Sequence, residues 1–414
     1  MSSELITTKP LRLVGVPKKK PITGARAIAE AVKLADVDVI VAYPIRPYTG
    51  IMNALAEMIS QGEFLAELIL ADSEHSQFEV AKHSSSVGAR VFVGSSGVGV
   101  IYAAEPIVVT PMNRLPVVAI VGCRALDDPG NFGMEWNDAL AFRDTGWLIS
   151  WAKDPQEALD MTLVAYRVAE DHRVLLPHFI ALDGATITHI AAPVEVPAKK
   201  SVEDFLPPYK NPYPLDPALG PITKAQHIAP SLIGPELRKP VEVAMKRSEE
   251  VIVEAWRDYA NYVGREYPPL IETWKIADAE IALVTMGAYT VNAIYAAELA
   301  RREGIRVGVA RLRYFRPFPY VELRKALSEV KGYGVIEFSY SFGSPYSGGV
   351  LFNEVKASMY ETPKPALDFL FLGGREPKVD NILRAIKLLN EYVKTGKTPS
   401  DKRVFWPTLR GEDL

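Results

Sequence analysis

Thr23-Gly-Ala-Arg-Ala-Ile-Ala-Glu-Ala-Val-Lys-Leu-Ala35 runs almost directly into Val37-Asp-Val-Ile-Val-Ala-Tyr43, and then into Pro44-Ile-Arg-Pro-Tyr-Thr-Gly50. The first segment puts Ile28, Val32 and Ala35 at helical spacing, with Thr23 as N-cap. The second is a mostly apolar run of strand length, which reads as a buried strand. The same two periods recur outward: helix 49–61, strand 67–71, helix 74–87, strand 90–94, helix 98–110 and strand 116–121. After an irregular stretch come helix 154–170 and strand 175–182. Strands alternating with helices through short connectors imply parallel βαβ units, with helices on both faces of one sheet.

A second alternation starts near Ala279, with strand 281–286, a turn at Gly287, helix 290–303, strand 307–311, helix 319–330 and strand 333–337. Between the two lie residues 191–240, which hold 11 of the 32 prolines. Proline at that density removes amide donors and blocks helix and sheet alike, so this segment reads as an extended connector, followed by a helix at 240–265. The expected division is an N-terminal arm (1–20), a larger α/β domain (21–190), a connector and helix (191–275), a smaller α/β domain (276–395) and a tail (396–414). The tail, rich in Lys, Thr and Pro, reads as an arm onto a partner.

The chain has 414 residues, enough for two or three domains, and 47 Lys+Arg against 50 Asp+Glu give a formal charge of −3. That balance offers no basic face for nucleic acid. A single cysteine, Cys123, excludes an intrachain disulfide, a four-cysteine zinc site and a self-ligated iron–sulfur cluster. The polar N-terminus and strand-length apolar runs point to a soluble, cytoplasmic protein without a membrane span.

Ligands of open parallel sheets sit beyond the carboxyl ends of the strands, so four loops matter. Tyr43-Pro-Ile-Arg-Pro47 is stiffened by two prolines, and Arg46 on it would lose little freedom on meeting an anion; a solvated arginine on a tight turn is the plain alternative. Asp72-Ser-Glu-His-Ser76 starts a helix, where Glu74 suits the macrodipole, or is a buried acid that exchanges a proton with a ligand. His75 and His83 lack a third partner for a metal. Gly94-Ser-Ser-Gly-Val-Gly-Val100 is only a partial dinucleotide fingerprint, though Ser95, Ser96 and nearby amides could close over a ligand. Gly122-Cys-Arg-Ala-Leu-Asp-Asp-Pro-Gly-Asn-Phe-Gly-Met134 carries Arg124, either a partner of Asp127 or Asp128 or a substrate ligand.

Taken together and in this order, Tyr43–Pro47, Asp72–Ser76, Gly94–Gly97 and Arg124-Ala-Leu126 resemble the α subunit of the 2-oxoacid:ferredoxin oxidoreductases. Asp138, Arg143-Asp-Thr-Gly-Trp147, Leu175-Leu-Pro177, Leu182-Asp-Gly184, Arg313-Tyr-Phe-Arg-Pro-Phe-Pro319 and Ser341-Phe-Gly343 extend the likeness over about residues 20–395. The resemblance implies a pyrimidine-type, thiamine-diphosphate-binding doubly wound parallel-sheet domain plus a smaller transketolase C-terminal-like α/β domain. It implies a β subunit holding the diphosphate, Mg2+ and a four-iron four-sulfur cluster, a γ subunit with further clusters, ferredoxin as acceptor, and assembly as a dimer of heterotrimers. It also implies that Glu74 hydrogen-bonds the aminopyrimidine nitrogen and promotes the tautomer that deprotonates the thiazolium carbon, while Arg124 holds a substrate carboxylate. Tyr43, Pro44, Ile45, Ser95 and Ser96 would line cofactor and substrate.

The departures from the family pattern are specific. The usual Tyr-Pro-Ile-Thr-Pro-Ser becomes Tyr43-Pro-Ile-Arg-Pro-Tyr48, and Asp127-Asp128 follow the second arginine where a small residue and serine are usual. A second guanidinium matches a second carboxylate, whose unpaired burial would cost several kcal/mol. The smallest such dianion is oxalate, so the chain looks most like the α subunit of the oxalate-oxidising members. Pyruvate or another 2-oxoacid is the alternative, and a noncatalytic subunit the third reading. Acids beside a dianion repel it, so Asp127 would serve on a loop that swings, facing inward to help expel product.

Overall fold

The computed structural model describes residues 18–126, 132–221 and 233–411. The first unit opens with β1 (Lys18–Thr23) and α1 (Gly24–Leu34), where the Thr23 hydroxyl accepts from the Arg26 amide at 3.3 Å. There follow β2 (Val39–Ala42), α2 (Thr49–Ser60), β3 (Glu67–Leu70), α3 (Glu74–Ser86), β4 (Val91–Ser95), β5 (Val118–Gly122), β6 (Leu148–Trp151), β7 (His178–Leu182) and β8 (Ala191–Val196). The second unit adds β9 (Ile271–Trp274), β10 (Ile281–Thr285), β11 (Val307–Leu312), β12 (Tyr314–Arg316), β13 (Gly332–Glu337), β14 (Ala366–Leu370) and β15 (Val404–Phe405).

A seven-stranded sheet has the order β12-β6-β7-β5-β4-β2-β3, parallel except for β12. A six-stranded sheet has the order β15-β14-β13-β10-β11-β9, parallel except for β9. Strands buried on both faces carry the apolar runs that identified them: every residue of β4, β5, β6 and β7 is buried. One apolar cluster runs through both units, from Val93 and Val121 to Leu283 and Val335.

Three differences from the sequence reading have clear causes. The irregular stretch before helix Pro155–Ala169 contains β6, whose four residues are too short to declare a period. Tyr314–Arg316 leaves the second unit and pairs with β6, so the two units share a sheet edge; a pairing between residues so far apart has no local signature. The proline-rich connector is not extended throughout. Its start is β8, antiparallel to β1 with Pro21 opposite Pro193, a pairing that a two-stranded ribbon tolerates because each strand has a free edge. Helix Lys199–Phe205 follows and sets Phe205 against Tyr259 of helix Gly234–Val263, which begins earlier than expected. The described part of the tail lies on its own domain: β15 extends the second sheet, and Arg375 donates to the Thr408 carbonyl.

An ionic cluster locks the units together. Arg311 Nη2 and Arg313 Nε each lie 2.6 Å from the Glu157 carboxylate, and all three side chains are fully buried. Burial alone would push the Glu157 carboxyl up; Arg311 and Arg313 outweigh it and hold it down at about 2. Removing one partner would strand a buried charge, at a cost of about 3–5 kcal/mol.

Candidate active site

Chain direction places the site. From β2 the chain crosses to β3 at the sheet edge, then returns over β2 to β4, which leaves a crevice at the carboxyl ends of β2 and β4. Gln77, fully buried on α3, ties that crevice together by donating to the Val41 carbonyl at 2.9 Å and the Gly94 carbonyl at 2.8 Å. Tyr48, also fully buried, presses its ring on Gly94 so closely that any side chain there would collide with it. The Tyr43–Tyr48 turn, with a cis Arg46–Pro47 peptide, is therefore anchored at its far end.

Glu74 is the first residue of α3. Ser73 is the N-cap: its hydroxyl accepts from the Ser76 amide, and the Ser76 hydroxyl accepts from the Ser73 amide in return. With the cap supplied by its neighbours, Glu74 is not needed for helix start. Its carboxylate is buried (8% exposed) and makes no hydrogen bond or ion pair among the described residues. Opposite it stands Gly99. A methyl group there would overlap Glu74 Oε1, and would sit 2.7 Å from Ser95 Oγ and 2.8 Å from Ile45 Cδ1. Glu74, Ser95 and Ile45 thus converge on one bare glycine.

Ser96 Oγ and Pro47 Cγ crowd Gly122 in the same way, which carries the crevice toward Arg124. The hydroxyls of Ser95 and Ser96 are buried without a hydrogen-bond partner among the described residues. Leaving such groups unmatched costs about 1–3 kcal/mol each, so they favour a polar ligand. The donor set therefore fits the polar edge of an aminopyrimidine ring: an unpaired carboxylate and two unspent hydroxyls, packed close together because Gly99 carries no side chain.

Arg46 and Arg124 face a separate part of the crevice, a cavity of about 400 Å³ whose far wall comes from the second unit through Tyr289, Phe338 and Arg375. Glu74 is not on that wall. Arg46 is exposed and has no hydrogen bond or ion pair among the described residues, whereas Arg124 is buried (6% exposed) with its guanidinium 4.8 Å from the Phe132 ring centre. Gly97 allows this approach. Its φ is +53°, and a side chain there would sit 2.5 Å from Arg124 Nε.

Tyr43 is half-buried and Pro44 exposed on the β2 turn. Asp127, with residues 128–131 of the loop expected to swing, lies outside the described residues. His75 and His83 are spent on surface pairs, with Glu105 at 3.1 Å and Glu79 at 3.2 Å, and no metal-binding group occurs among the described residues.

Two further residues contribute to the site without having been given a role in it from the sequence. Arg375 follows Gly373 and Gly374 beyond β14, a glycine turn at a strand's carboxyl end like those of the first sheet. Asp138 accepts from the Gly97 amide at 2.8 Å and the Arg124 amide at 3.1 Å, and burial pushes its carboxyl up to about 7. Nothing local distinguishes it from a surface acid.

Comparison with known proteins gives the family. Residues 30–257 match the family described as pyruvate flavodoxin/ferredoxin oxidoreductase, thiamine diphosphate-binding, and residues 279–382 match pyruvate:ferredoxin oxidoreductase core domain II. The chain is 38% identical over 394 residues to pyruvate synthase subunit PorA of Methanocaldococcus jannaschii, covering 94% of this chain and 98% of that one. It is 36% identical to PorA of Pyrococcus furiosus, covering 96% and 99%. It is 34% identical to ketoisovalerate oxidoreductase subunit VorA of Pyrococcus horikoshii, covering 95% and 99%. A solved 2-oxoglutarate:ferredoxin oxidoreductase from Magnetococcus marinus shares the fold, with a TM-score of 0.66 at 17% identity over 93% of this chain and 68% of that one. The first unit is a thiamine-diphosphate-binding domain, and the chain belongs to the 2-oxoacid:ferredoxin oxidoreductase family as an α subunit.

Proposed function

We propose that this chain provides the aminopyrimidine side of a thiamine diphosphate site and the clamp for a 2-oxoacid carboxylate. A β subunit would hold the diphosphate, Mg2+ and a four-iron four-sulfur cluster, and a γ subunit would pass electrons to ferredoxin. The carrying observation is Glu74: a buried carboxylate with no partner among the described residues, facing a bare glycine. Bound thiamine diphosphate supplies the carbon nucleophile that attacks the substrate carbonyl. Glu74 holds and returns the proton at the aminopyrimidine nitrogen. Arg124, fixed by its backbone, orients the substrate carboxylate with a planar fork. A purely structural subunit would have no use for either arrangement.

The substrate class follows from which acid these groups receive. Relatives named for pyruvate and ketoisovalerate favour a 2-oxoacid with one carboxylate, and none of them supports oxalate. Oxalate stands second, on one observation: Arg46 lies on the same cavity wall as Arg124, without a partner among the described residues.

The test is Arg124→Gln in the assembled complex. KM for the 2-oxoacid should rise at least about thirtyfold, the loss expected when one member of a close charge pair is removed. An unchanged KM would show that Arg124 does not touch the substrate.

A further inference from the structure

Four consecutive residues, Glu135-Trp-Asn-Asp138, join the second unit to the loops that carry Gly97 and Arg124. Glu135 Oε1 accepts from the Gly373 amide at 2.9 Å. The Trp136 amide donates to the Phe338 carbonyl at 2.8 Å, and its indole donates to Asp183 at the end of β7, also at 2.8 Å. Asn137 pairs with the Tyr340 backbone in both directions: Nδ2 donates to the carbonyl and Oδ1 accepts from the amide, each at 2.9 Å. Asp138 turns the other way. Its Oδ2 accepts from the Gly97 and Arg124 amides, and its Oδ1 from the Ala139 amide at 2.8 Å.

We propose that this segment is the link through which the second unit fixes Arg124, with Asn137 and Asp138 as positioning residues for the substrate carboxylate. The inference rests on the reading of Arg124 given above. The helix that starts at Asn137 is only four residues long, too short to be rigid by itself, so its placement follows the residues that tie its start. Asn137, its first residue, is held on Tyr340; one peptide later, Asp138 grips the Arg124 backbone. A shift at Asn137 passes directly to Asp138, and from there to a guanidinium whose fork pairing with a carboxylate tolerates little displacement. A 1 Å misplacement of a binding group can cost about a hundredfold. The second unit thereby gains a part in substrate binding beyond the wall formed by Tyr289, Phe338 and Arg375.

The experiment measures steady-state KM and kcat for the 2-oxoacid on assembled, cofactor-loaded complexes carrying Asn137→Ala, Arg124→Gln or both. Asn137 is half-buried, and alanine leaves the surrounding core untouched. Asn137→Ala should raise KM about tenfold with kcat within about threefold, and should have no further effect in the Arg124→Gln background. An unchanged KM, or the same fold-change in both backgrounds, overturns the link. Asn137→Asp keeps the acceptor for the Tyr340 amide but sets a carboxylate oxygen against the Tyr340 carbonyl, so it should raise KM at least as far as Asn137→Ala, and it replaces Asn137→Ala if that complex fails to assemble. If Arg124→Gln alone leaves KM unchanged, the functional reading fails first. If Arg124→Gln raises KM while Asn137→Ala does not, only the link fails.

Discussion

Each unit buries a glutamate against a glycine beside a helix start, and the two are used in opposite ways. Glu337, at the end of β13, accepts from the Ser339 hydroxyl and from the Leu351 and Phe352 amides at 2.9 and 2.8 Å, while Gly349 leaves room for its carboxylate. It also faces Asp368, which accepts from the Gly349 amide at 2.8 Å and has one oxygen without a donor among the described residues. Burial, and for Asp368 the neighbouring Glu337 charge, push both carboxyls well above the usual carboxylate range, an arrangement that suits one proton shared between them. Glu74 has the same kind of glycine opposite it, but Ser73 and Ser76 have taken over its helix-capping duty. The second unit closes its acid on itself. The first leaves one open, and an acid held open in a crevice is where a ligand belongs.

Exchanging acid for amide at both positions should separate the two roles. Glu74→Gln should lower turnover by about 10²–10⁴-fold, since an amide cannot exchange the proton, while thermal stability stays near the parent's. Turnover within a few-fold of the parent in a fully assembled complex would reduce Glu74 to a structural residue. Arg46→Thr addresses the same crevice from its other side. If oxalate is a substrate, its kcat/KM should fall at least about thirtyfold relative to pyruvate. A constant ratio would show that Arg46 does not face the substrate.

Smaller effects are expected in the second unit. Glu337→Gln turns a donor toward the Leu351 or Phe352 amide and should cost about 1–3 kcal/mol of stability, read from denaturant unfolding, with kcat little changed. The shared proton adds a pH dependence. The folded state keeps protons that an unfolded carboxylate loses near pH 4, so this contribution is full in acid and is lost as pH rises toward and beyond about 7. Tm should therefore be lower at pH 8.5 than at pH 5.5. Asp368→Asn, which keeps a donor toward Glu337, should flatten that slope; an unaltered slope would place the dependence elsewhere, for instance at Asp138 or Asp183, which burial also pushes up.

Much of this arrangement was legible in the chain. Buried parallel strands announce themselves as apolar runs, and their carboxyl ends point to the loops holding Arg46, Glu74, Ser95 and Arg124. The helix start at Glu74 was visible, but that Ser73 and Ser76 cap it and free its carboxylate is a matter of three-dimensional placement. What was illegible depends on distant pairing: β12 completing the first sheet from the second unit, Pro21 set against Pro193, and Asp138 reaching back to Gly97. The substrate inference from Arg46 ran ahead of its support, because one charged residue on a turn constrains a ligand only when its partner is known.

The most direct test is ferredoxin reduction by the purified complex, with pyruvate, 2-ketoisovalerate and oxalate supplied singly in the absence of oxygen, each with a thiol such as coenzyme A present to take the acyl group that the first two leave after losing CO2 and two electrons. The expected result is thiamine-diphosphate-dependent reduction with release of CO2, driven best by an acid with one carboxylate and lost in the complex carrying Glu74→Gln. An assembled complex with its clusters and cofactor in place that reduces ferredoxin with none of the three would contradict it.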